Sequence, residues 1–174
     1  MAKDPDIVAL LPDLRRYALT LTRDRADADD LLNSALLRAH ERSGTYQRSR
    51  SLRRWLFAIL HNVFISDRRR QQAEQRRNDA FADIMLQSAP ATQEMAAMLA
   101  QTLARFDTLP DSQRAVMHLI AVEGMSYNEA ADALGVPVGT VMSRLSRARQ
   151  VLRGEAAPER AAGKLRVVGG EHRD

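Results

Sequence analysis

The chain contains no cysteine, so its sequence excludes a disulfide framework and a thiolate metal site. Aromatic residues make up only 5% of its 174 residues, and this scarcity, together with abundant leucine and alanine, favours helices over sheets. No apolar run approaches the roughly 18 residues that a membrane-spanning helix needs, and the N-terminal MAKDPD does not resemble a signal peptide. These absences predict an all-α, cytoplasmic protein without a membrane segment.

Residues typical of catalysis and metal binding are also sparse. The four histidines lie far apart, without the spacing of metal ligands, and we expect two on helix surfaces and one in the tail: His40, His61, His118 and His172. No nucleophile elbow, phosphate-binding loop or pair of catalytic carboxylates stands out. The sequence therefore favours a binding protein over an enzyme, and it predicts neither a metal nor a cofactor.

Arginine, by contrast, is abundant. The formal net charge is +4, and 24 of the 26 basic residues are arginine. The planar guanidinium forms bidentate contacts with phosphates and base edges, so this bias is typical of nucleic-acid binding. A GC-rich genome produces the same bias.

Helical periodicity divides the chain into two units. The first contains amphipathic patterns over residues 4–22, 26–42 and 52–70, the last continuing into 71–77. The second contains helical patterns over residues 92–106 and 111–122, separated by Leu109-Pro110 and followed by a helix-turn-helix. We predict two small helical domains joined by a flexible linker: residues 1–72, the linker 73–91 with a short helical turn at 81–86, residues 92–154, and a flexible tail 155–174.

The helix-turn-helix spans residues 126–153. Ser126 and Glu129 form a capping box at the start of its first helix, and Gly135 and Pro137 end that helix in a tight turn. The second helix has one apolar face and one basic face without any acidic residue, formed by Thr140, Ser143, Arg144, Arg147 and Arg149. This arrangement is typical of a helix that reads the major groove of DNA; the alternative is an ordinary amphipathic helix with a solvated basic face.

Charge is segregated in the first unit. Residues 48–70 carry seven arginines and a single acidic residue, Asp67. Four aspartates cluster instead at the start of the second helical pattern, namely Asp24, Asp27, Asp29 and Asp30. The helix macrodipole also explains the acids, because it favours carboxylates in a first turn by ~0.3–1 kcal/mol each. A solvated helix face also explains the arginines.

Aromatic residues accompany these arginines, namely Tyr46, Trp55, Phe57 and Phe64. Aromatic rings beside cations offer stacking surfaces to unpaired bases, worth ~1–3 kcal/mol per base, although Trp55 and Phe64 are equally compatible with a core position. A duplex-reading motif in one unit and a basic aromatic patch in the other together suggest promoter recognition with strand opening.

Three segments strongly resemble the two domains of bacterial extracytoplasmic-function (ECF) sigma factors. They are ADADDLLNSALLRAH (26–40), SLRRWLFAILHNVFISDRRR (51–70) and LPDSQRAVMHLIAVEGMSYNEAADALGVPVGTVMSRLSRARQVLR (109–153). The stretches ALTLTRDRADADDLL and LRRWLFAILHN are most similar to the EcfG branch, the general-stress sigma factors of alphaproteobacteria. The resemblance implies a sigma region 2-like domain, a sigma region 4-like domain, and a specificity subunit of RNA polymerase without catalytic activity.

The resemblance also implies roles for individual residues. Docking on the coiled coil of the polymerase β′ subunit is expected of Asp27, Asp29, Asp30, Leu31 and Leu32. Capture of flipped non-template bases of the minus-ten element is expected of Tyr46, Arg53, Arg54, Asn62, Arg68 and Arg69. Contacts in the minus-thirty-five major groove are expected of Val138, Gly139, Thr140, Met142, Ser143, Arg144 and Arg147.

The partners implied by the resemblance are core RNA polymerase, through its β′ and β subunits, promoter DNA, and a small NepR-like anti-sigma factor. The free protein is expected to be monomeric, or in a 1:1 complex with that anti-sigma factor.

The chain departs from the family pattern at three places. Asn33-Ser34-Ala35 replaces Gln-(Asp/Glu)-Thr, which bears on the contacts with polymerase. Ser49-Arg50-Ser51-Leu52 replaces Gly-Thr-Asn-Leu, which bears on the preference for minus-ten sequences, and Met142 replaces a common lysine, which removes a contact expected with DNA.

Two other classes of protein fit part of the sequence. A sigma mimic sequesters an anti-sigma factor without productive promoter binding, but such mimics also carry a receiver domain, for which this chain has no parallel-sheet pattern. An autonomous helix-turn-helix repressor accounts for the last third of the chain. It does not account for the acidic and basic surfaces of the first unit.

Overall fold

The computed structural model describes residues 7–47, 51–75 and 94–154. Every regular element among these residues is helical, which confirms the all-α prediction. The helical turn predicted at 81–86, most of the predicted linker and the predicted tail at 155–174 lie outside the described residues. Within the described ranges, no helix combines the length and the apolar character needed to cross a membrane.

Three helices form what we call the N-terminal module. They are α1 (Ile7–Thr22), α2 (Arg25–Glu41) and α3 (Leu52–Gln75), with one turn of 3₁₀-helix at Ser43–Thr45. The corner between α1 and α2 is tight because Arg23 adopts a left-handed backbone conformation with φ +64°. Asp24 then caps α2, its Oδ1 accepting hydrogen bonds from the backbone N–H groups of Ala26 (2.8 Å) and Asp27 (3.0 Å). One of the four clustered aspartates is thus a structural cap.

The core of the N-terminal module contains two fully buried rings, Tyr17 and Phe57, whose centroids lie 5.3 Å apart. Phe64 is also buried. Because the helices enclose both rings, Phe57 does not offer a stacking surface to bases, and of the two alternatives for Phe64 the core position is the one that the structure shows. Tyr46 and Trp55 are half-buried and pack on each other with centroids 5.1 Å apart.

The second group of helices forms the C-terminal module. Its elements are α4 (Glu94–Asp107), α5 (Asp111–Met117), a π-helical turn (His118–Val122), α6 (Tyr127–Leu134) and α7 (Val138–Arg153). Helix α7 packs against α4, α5 and α6, so its apolar stripe forms the centre of this module. Arg105 of α4 donates from Nη1 to the carbonyl oxygen of Leu152 (3.1 Å), which ties α4 to the end of α7.

The π-helical turn interrupts the single helix that the sequence predicts over residues 111–122. The backbone N–H of Glu123 donates to the carbonyl oxygen of His118, five residues earlier, at 3.0 Å. This wider turn brings the two side chains together, with His118 Nε2 3.0 Å from Glu123 Oε1. Such turns are frequent at functional positions, and apolar periodicity alone does not reveal them.

The two modules pack directly on each other. Helix α1 contacts α5, and α3 contacts α6. The rings of Tyr17 and His118 lie 5.2 Å apart across this boundary. The buried interior is therefore continuous from one module to the other, which the sequence pattern did not indicate.

Candidate nucleic-acid interface

The helix-turn-helix has the local geometry that the sequence predicts. Ser126 Oγ accepts a hydrogen bond from the backbone N–H of Glu129 (3.3 Å), and Glu129 Oε2 accepts one from the backbone N–H of Ser126 (2.9 Å). The Ser126 hydroxyl also donates to Glu129 Oε2 (2.9 Å), and the two hydrogen bonds that this carboxylate accepts from the backbone N–H and the hydroxyl of Ser126 hold the pKa of Glu129 below its ordinary value. Gly135 ends α6 in the left-handed conformation with φ +63°, so the chain turns sharply before α7 begins.

Helix α7 turns one face inward and one outward. Val141, Leu145 and Ala148 are buried, as their spacing predicts. The predicted minus-thirty-five residues divide by exposure: Gly139, Met142, Ser143 and Arg147 are exposed, whereas Val138, Thr140 and Arg144 are half-buried. The outward face of α7 therefore combines small polar groups, an arginine and one apolar side chain.

Met142 is the apolar side chain on that face, with 49% of its surface exposed. It lines a shallow groove between α6 and α7 together with Tyr127, Leu145, Ser146, Arg149 and Arg153. Apolar groups at a groove-reading surface suit the methyl group of thymine, while arginines suit phosphates and guanine. The groove has both types of group within one patch.

The predicted polymerase-docking residues on α2 also divide by exposure. Asp27 and Asp30 are exposed, Leu32 is half-buried, and Leu31 is buried in the module. Asp29 already has a partner, since Arg15 donates to it from Nε (2.6 Å) and Nη2 (3.0 Å). The hydrogen bond from Arg15 lowers the pKa of Asp29 below its ordinary value.

Three of the predicted minus-ten arginines point from α3 toward the C-terminal module. Arg68 donates to Asp111 Oδ2 from Nη2 (2.6 Å) and Nε (2.9 Å). Arg54 Nη1 lies 3.7 Å from Asp132 Oδ2. Arg53 forms an ion pair with Glu123 and donates from Nη1 to the Glu123 carbonyl oxygen (3.0 Å). In this arrangement all three arginines have acidic partners.

The remaining predicted minus-ten residues lie elsewhere. Asn62 and Arg69 are exposed. Asn62 borders a shallow groove between α2 and α3 that Arg38, Arg42 and Ser66 also line. Asn62 therefore lies on a different side of α3 from Arg53, Arg54 and Arg68, and Tyr46 precedes α3.

Glu123 is the central acidic residue of the inter-module contact, and sequence reasoning missed it. Its side chain is only 1% exposed and pairs with Arg53, with Arg16 Nη2 (3.0 Å) and with His118 Nε2 (3.0 Å). A buried carboxylate requires such partners because desolvation disfavours its charge. Position 123 directly follows a helical pattern, so no local signal distinguishes this acid from an exposed one.

Arg114 was also missed, although it is one of the largest fully buried side chains among the described residues. Its guanidinium donates to the carbonyl oxygens of Thr20 (2.7 Å), Leu21 (3.1 Å) and Leu109 (2.9 Å), and to Asp111 Oδ1 (2.6 Å). Two of these acceptors belong to α1, at the end where its last carbonyl groups lack helical partners. Arg114 thus joins the two modules through backbone atoms.

The histidines differ from the prediction that two lie on helix surfaces. His40 is exposed, but His61 and His118 are buried. The Nδ1 atom of His61 lies 3.1 Å from Tyr17 Oη, and that of His118 lies 2.9 Å from Thr20 Oγ1. Burial, and then the positive charge of Arg144, lower the pKa of His61 to about 4.

The fold and comparison with known proteins identify the class and the family of this protein. The fold and its helix-turn-helix define the class of a DNA-binding regulator of transcription. The family model for sigma-70 region 2 matches residues 7–74, and that for sigma-70 region 4 matches residues 99–152. The ECF RNA polymerase sigma factor EcfG of Rhodopseudomonas palustris (strain TIE-1) is 38% identical over 147 residues, 84% of this chain and 81% of that protein. The chain belongs to the ECF family of RNA polymerase sigma factors.

Solved structures agree with this assignment. The sigma factor RpoE of Bartonella quintana, in complex with the anti-sigma factor NepR, superimposes with a TM-score of 0.70 at 30% identity, covering 88% of this chain and 96% of that one. The anti-anti-sigma factor PhyR of Bartonella quintana, in complex with NepR, shares the fold with a TM-score of 0.56 at 18% identity, covering 87% of this chain and 49% of PhyR. Sigma factors regulate transcription and are not enzymes, which confirms the prediction of a binding protein.

Proposed function

We propose that this protein directs core RNA polymerase to stress-response promoters by binding their minus-thirty-five and minus-ten elements. The observation that carries the proposal is the outward basic face of α7 in a helix-turn-helix, within a chain similar to EcfG over both modules. The similarity to the EcfG branch supports the assignment to stress promoters.

The proposed division of labour follows the two modules. Residues 1–72 bind core polymerase and minus-ten DNA, residues 92–154 bind minus-thirty-five DNA, and residues 73–91 link them. The exposed residues Gly139, Met142, Ser143 and Arg147 are the first candidates for contacts in the minus-thirty-five groove. Phosphate contacts set affinity and salt dependence, whereas contacts with base edges set the sequence that is read.

The proposed regulation is sequestration by a small NepR-like anti-sigma factor in the cytoplasm. Its support is the similarity to the RpoE chain that was solved with NepR. A 1:1 complex is expected, and the acidic surface of α2 around Asp27 and Asp30 is the part of the N-terminal module that polymerase needs.

The test is transcription in vitro from a supercoiled template that carries candidate stress promoters of the source organism. Purified protein with core polymerase is expected to initiate at these promoters, and core alone is not. The variant Arg147→Ala tests the minus-thirty-five contact, because loss of one base contact is expected to cost ~1–3 kcal/mol of the free energy of promoter binding. Arg25→Ala, which removes an exposed arginine of α2, is its control in promoter binding. Failure to initiate at every promoter, with core binding intact, would contradict the proposal.

A second candidate function is that of a sigma mimic. Its support is the fold that this chain shares with the anti-anti-sigma factor PhyR. It predicts tight binding to a NepR-like protein and no initiation with core polymerase. The same transcription assay, run beside a binding assay with the anti-sigma protein, separates the two functions.

A further inference from the structure

The groove between α6 and α7 has apolar walls that stay open to solvent. Its lining residues are Tyr127, Met142, Leu145, Ser146, Arg149 and Arg153. Leu145 is buried, whereas Met142 and Tyr127 keep 49% and 39% of their surface exposed. Large apolar side chains that share one exposed groove gain free energy when a partner covers them. The thioether of Met142 and the ring of Tyr127 therefore form a candidate contact surface.

The residues that α7 contributes to this groove follow one side of the helix. Met142, Ser146, Arg149 and Arg153 are spaced by four, three and four residues, which places them in one stripe. Met142 lies in the first half of α7, the part of a recognition helix that contacts base edges. Arg149 lies ~10 Å further along the helix axis. Because the major groove of DNA is about 12 Å wide, a helix with Met142 at the base edges has Arg149 close to the phosphates.

The charge and the size of the groove restrict its occupant. Within the part of the chain that the structure describes, neither Arg147 nor Arg149 forms an ion pair, unlike the paired arginines of α3. The volume of the groove is about 220 Å³, below the ~300–1,000 Å³ of sites for small molecules. A complementary partner therefore brings negative charge together with a small apolar group. The major groove of duplex DNA offers both, since phosphates border it and thymine projects its C5-methyl group into it.

We propose that Met142 and Tyr127 form a methyl-reading site, which takes the C5-methyl group of one pyrimidine in the minus-thirty-five duplex. This inference rests on the proposed function for the DNA element that α7 binds. The exposed neighbours Gly139 and Ser143 are small, so they allow α7 to approach the base edges closely. The polarizable sulfur of methionine packs on a methyl group and carries no charge that a phosphate would attract. The site distinguishes thymine from uracil, and 5-methylcytosine from cytosine, because each pair differs only in this methyl group.

The test replaces single thymines of a minus-thirty-five duplex by uracil, which removes the C5-methyl group and keeps the base pair. The probe is a fluorescein-labelled duplex from a candidate stress promoter, and its binding by the full chain is measured by anisotropy with and without core polymerase. Uracil is expected to weaken binding by about fourfold at one or two thymines, the effect of one methyl group left unburied. Equal affinities for all the uracil duplexes and the parent duplex would overturn the proposal.

Cytosine at the sensitive position tests the methyl group without thymine. A C·G pair there is expected to bind more weakly than the T·A pair, and 5-methylcytosine is expected to regain about fourfold over cytosine. Cytosine and 5-methylcytosine present the same N4 donor in the major groove, so this comparison separates the methyl group from the hydrogen bonds of the base. Equal binding of the two cytosine duplexes would also overturn the proposal.

The variant Met142→Gln locates the contact in the groove, because glutamine has a similar length but is polar. In this variant thymine and uracil duplexes are expected to bind equally. Leu103→Gln, at an exposed position of α4, is the matched control and is expected to keep the wild-type difference. Met142→Lys is expected to gain affinity through a phosphate and to lose the dependence on the methyl group. A wild-type difference in Met142→Gln would overturn the assignment to this groove.

The outcome is distinguishable from that of the transcription test. Initiation at promoters without any effect of uracil would remove only the methyl-reading site, and it would leave the groove to an acidic partner protein. Methyl-dependent binding without initiation would remove only the proposed sigma activity. Binding to no duplex, with or without core polymerase, would overturn both.

Discussion

The Nε–H of Arg114 in α5 donates to the carbonyl oxygen of Thr20 in α1 over 2.7 Å, across 94 residues of sequence. The same guanidinium reaches Leu21, also in α1, at 3.1 Å. A buried guanidinium of the C-terminal module thus provides hydrogen bonds to carbonyl oxygens at the end of α1 in the N-terminal module. This contact makes the stability of the two modules interdependent.

Replacement of Arg114 by Met is expected to lower the free energy of unfolding by about 2–4 kcal/mol. The side chain volume is nearly kept, but buried carbonyl groups and Asp111 lose their donor. Urea unfolding followed by circular dichroism measures the change. Arg149→Met, at an exposed position of α7, is the control and is expected to change stability by less than about 0.5 kcal/mol. Equal effects of both variants would contradict the structural role of Arg114.

The stability of the protein is expected to fall as the pH is lowered from 7 to 5. The pKa of His61 is about 4 in the folded chain, mainly through burial, and about 6.5 in an unfolded chain. The unfolded state therefore binds the proton first, and the contribution of neutral His61 is lost as the pH drops below 6.5, by about 2 kcal/mol at pH 5. Burial lowers the pKa of His118 as well, which acts in the same direction.

The variant His61→Gln isolates this effect, because glutamine does not titrate. Its free energy of unfolding is expected to depend less steeply on pH than that of the wild type between pH 5 and 7. Parallel pH profiles for the two proteins would show that His61 is not the titrating group.

On the acidic surface of α2, Asp30 is expected to matter more than Asp29 for binding core polymerase. Asp30 is exposed, whereas Asp29 is held by Arg15 at 2.6 Å. Asp30→Ala is expected to weaken binding by about fivefold, the equivalent of ~1 kcal/mol for a charged contact at a rim. Titration of labelled protein with core polymerase measures it.

The double variant Asp29→Ala with Asp30→Ala is expected to bind more weakly still. Arg15→Ala, which frees Asp29, is the informative companion, and it is expected to preserve or improve core binding. Unchanged affinity in the double variant would remove these aspartates from the docking surface.

Met142→Lys is expected to strengthen binding to duplex DNA that carries the minus-thirty-five element. About half of the Met142 surface is exposed on the outward face of α7, so a lysine there reaches a phosphate at little packing cost. One added phosphate contact steepens the salt dependence by about 0.9 in the log–log slope. Leu103→Lys, at an exposed position of α4, adds the same charge elsewhere in the module. If both variants gain equally, Met142 does not face the DNA.

The helix-turn-helix was predictable from sequence because its signals are local. The capping box joins residues three apart, and Gly135 is needed for a backbone conformation that other residues disfavour. The capping of α2 by Asp24 was open to two interpretations, since a first-turn acid and a docking acid look alike in sequence. The structure assigns Asp24 to the cap and leaves Asp27 and Asp30 exposed.

Other features depended on distant parts of the chain. Phe57 and Arg53 lie four residues apart in the basic aromatic patch, yet one is core and the other pairs with Glu123, seventy residues away. The burial of His61 and His118 likewise follows from packing and not from their neighbours in sequence. The placement of Asn62 on a different side of α3 from Arg53, Arg54 and Arg68 also required the tertiary structure.

The amino-acid sequence by itself determined the helices, the division into two units, the helix-turn-helix and the resemblance to a family, because periodicity, capping and motif spacing act over a few residues. Only the tertiary structure decided which charges meet. Ion pairs such as Arg53–Glu123 and Arg68–Asp111 join residues far apart along the chain, and their strength depends on burial and distance. Neither quantity is written in local sequence.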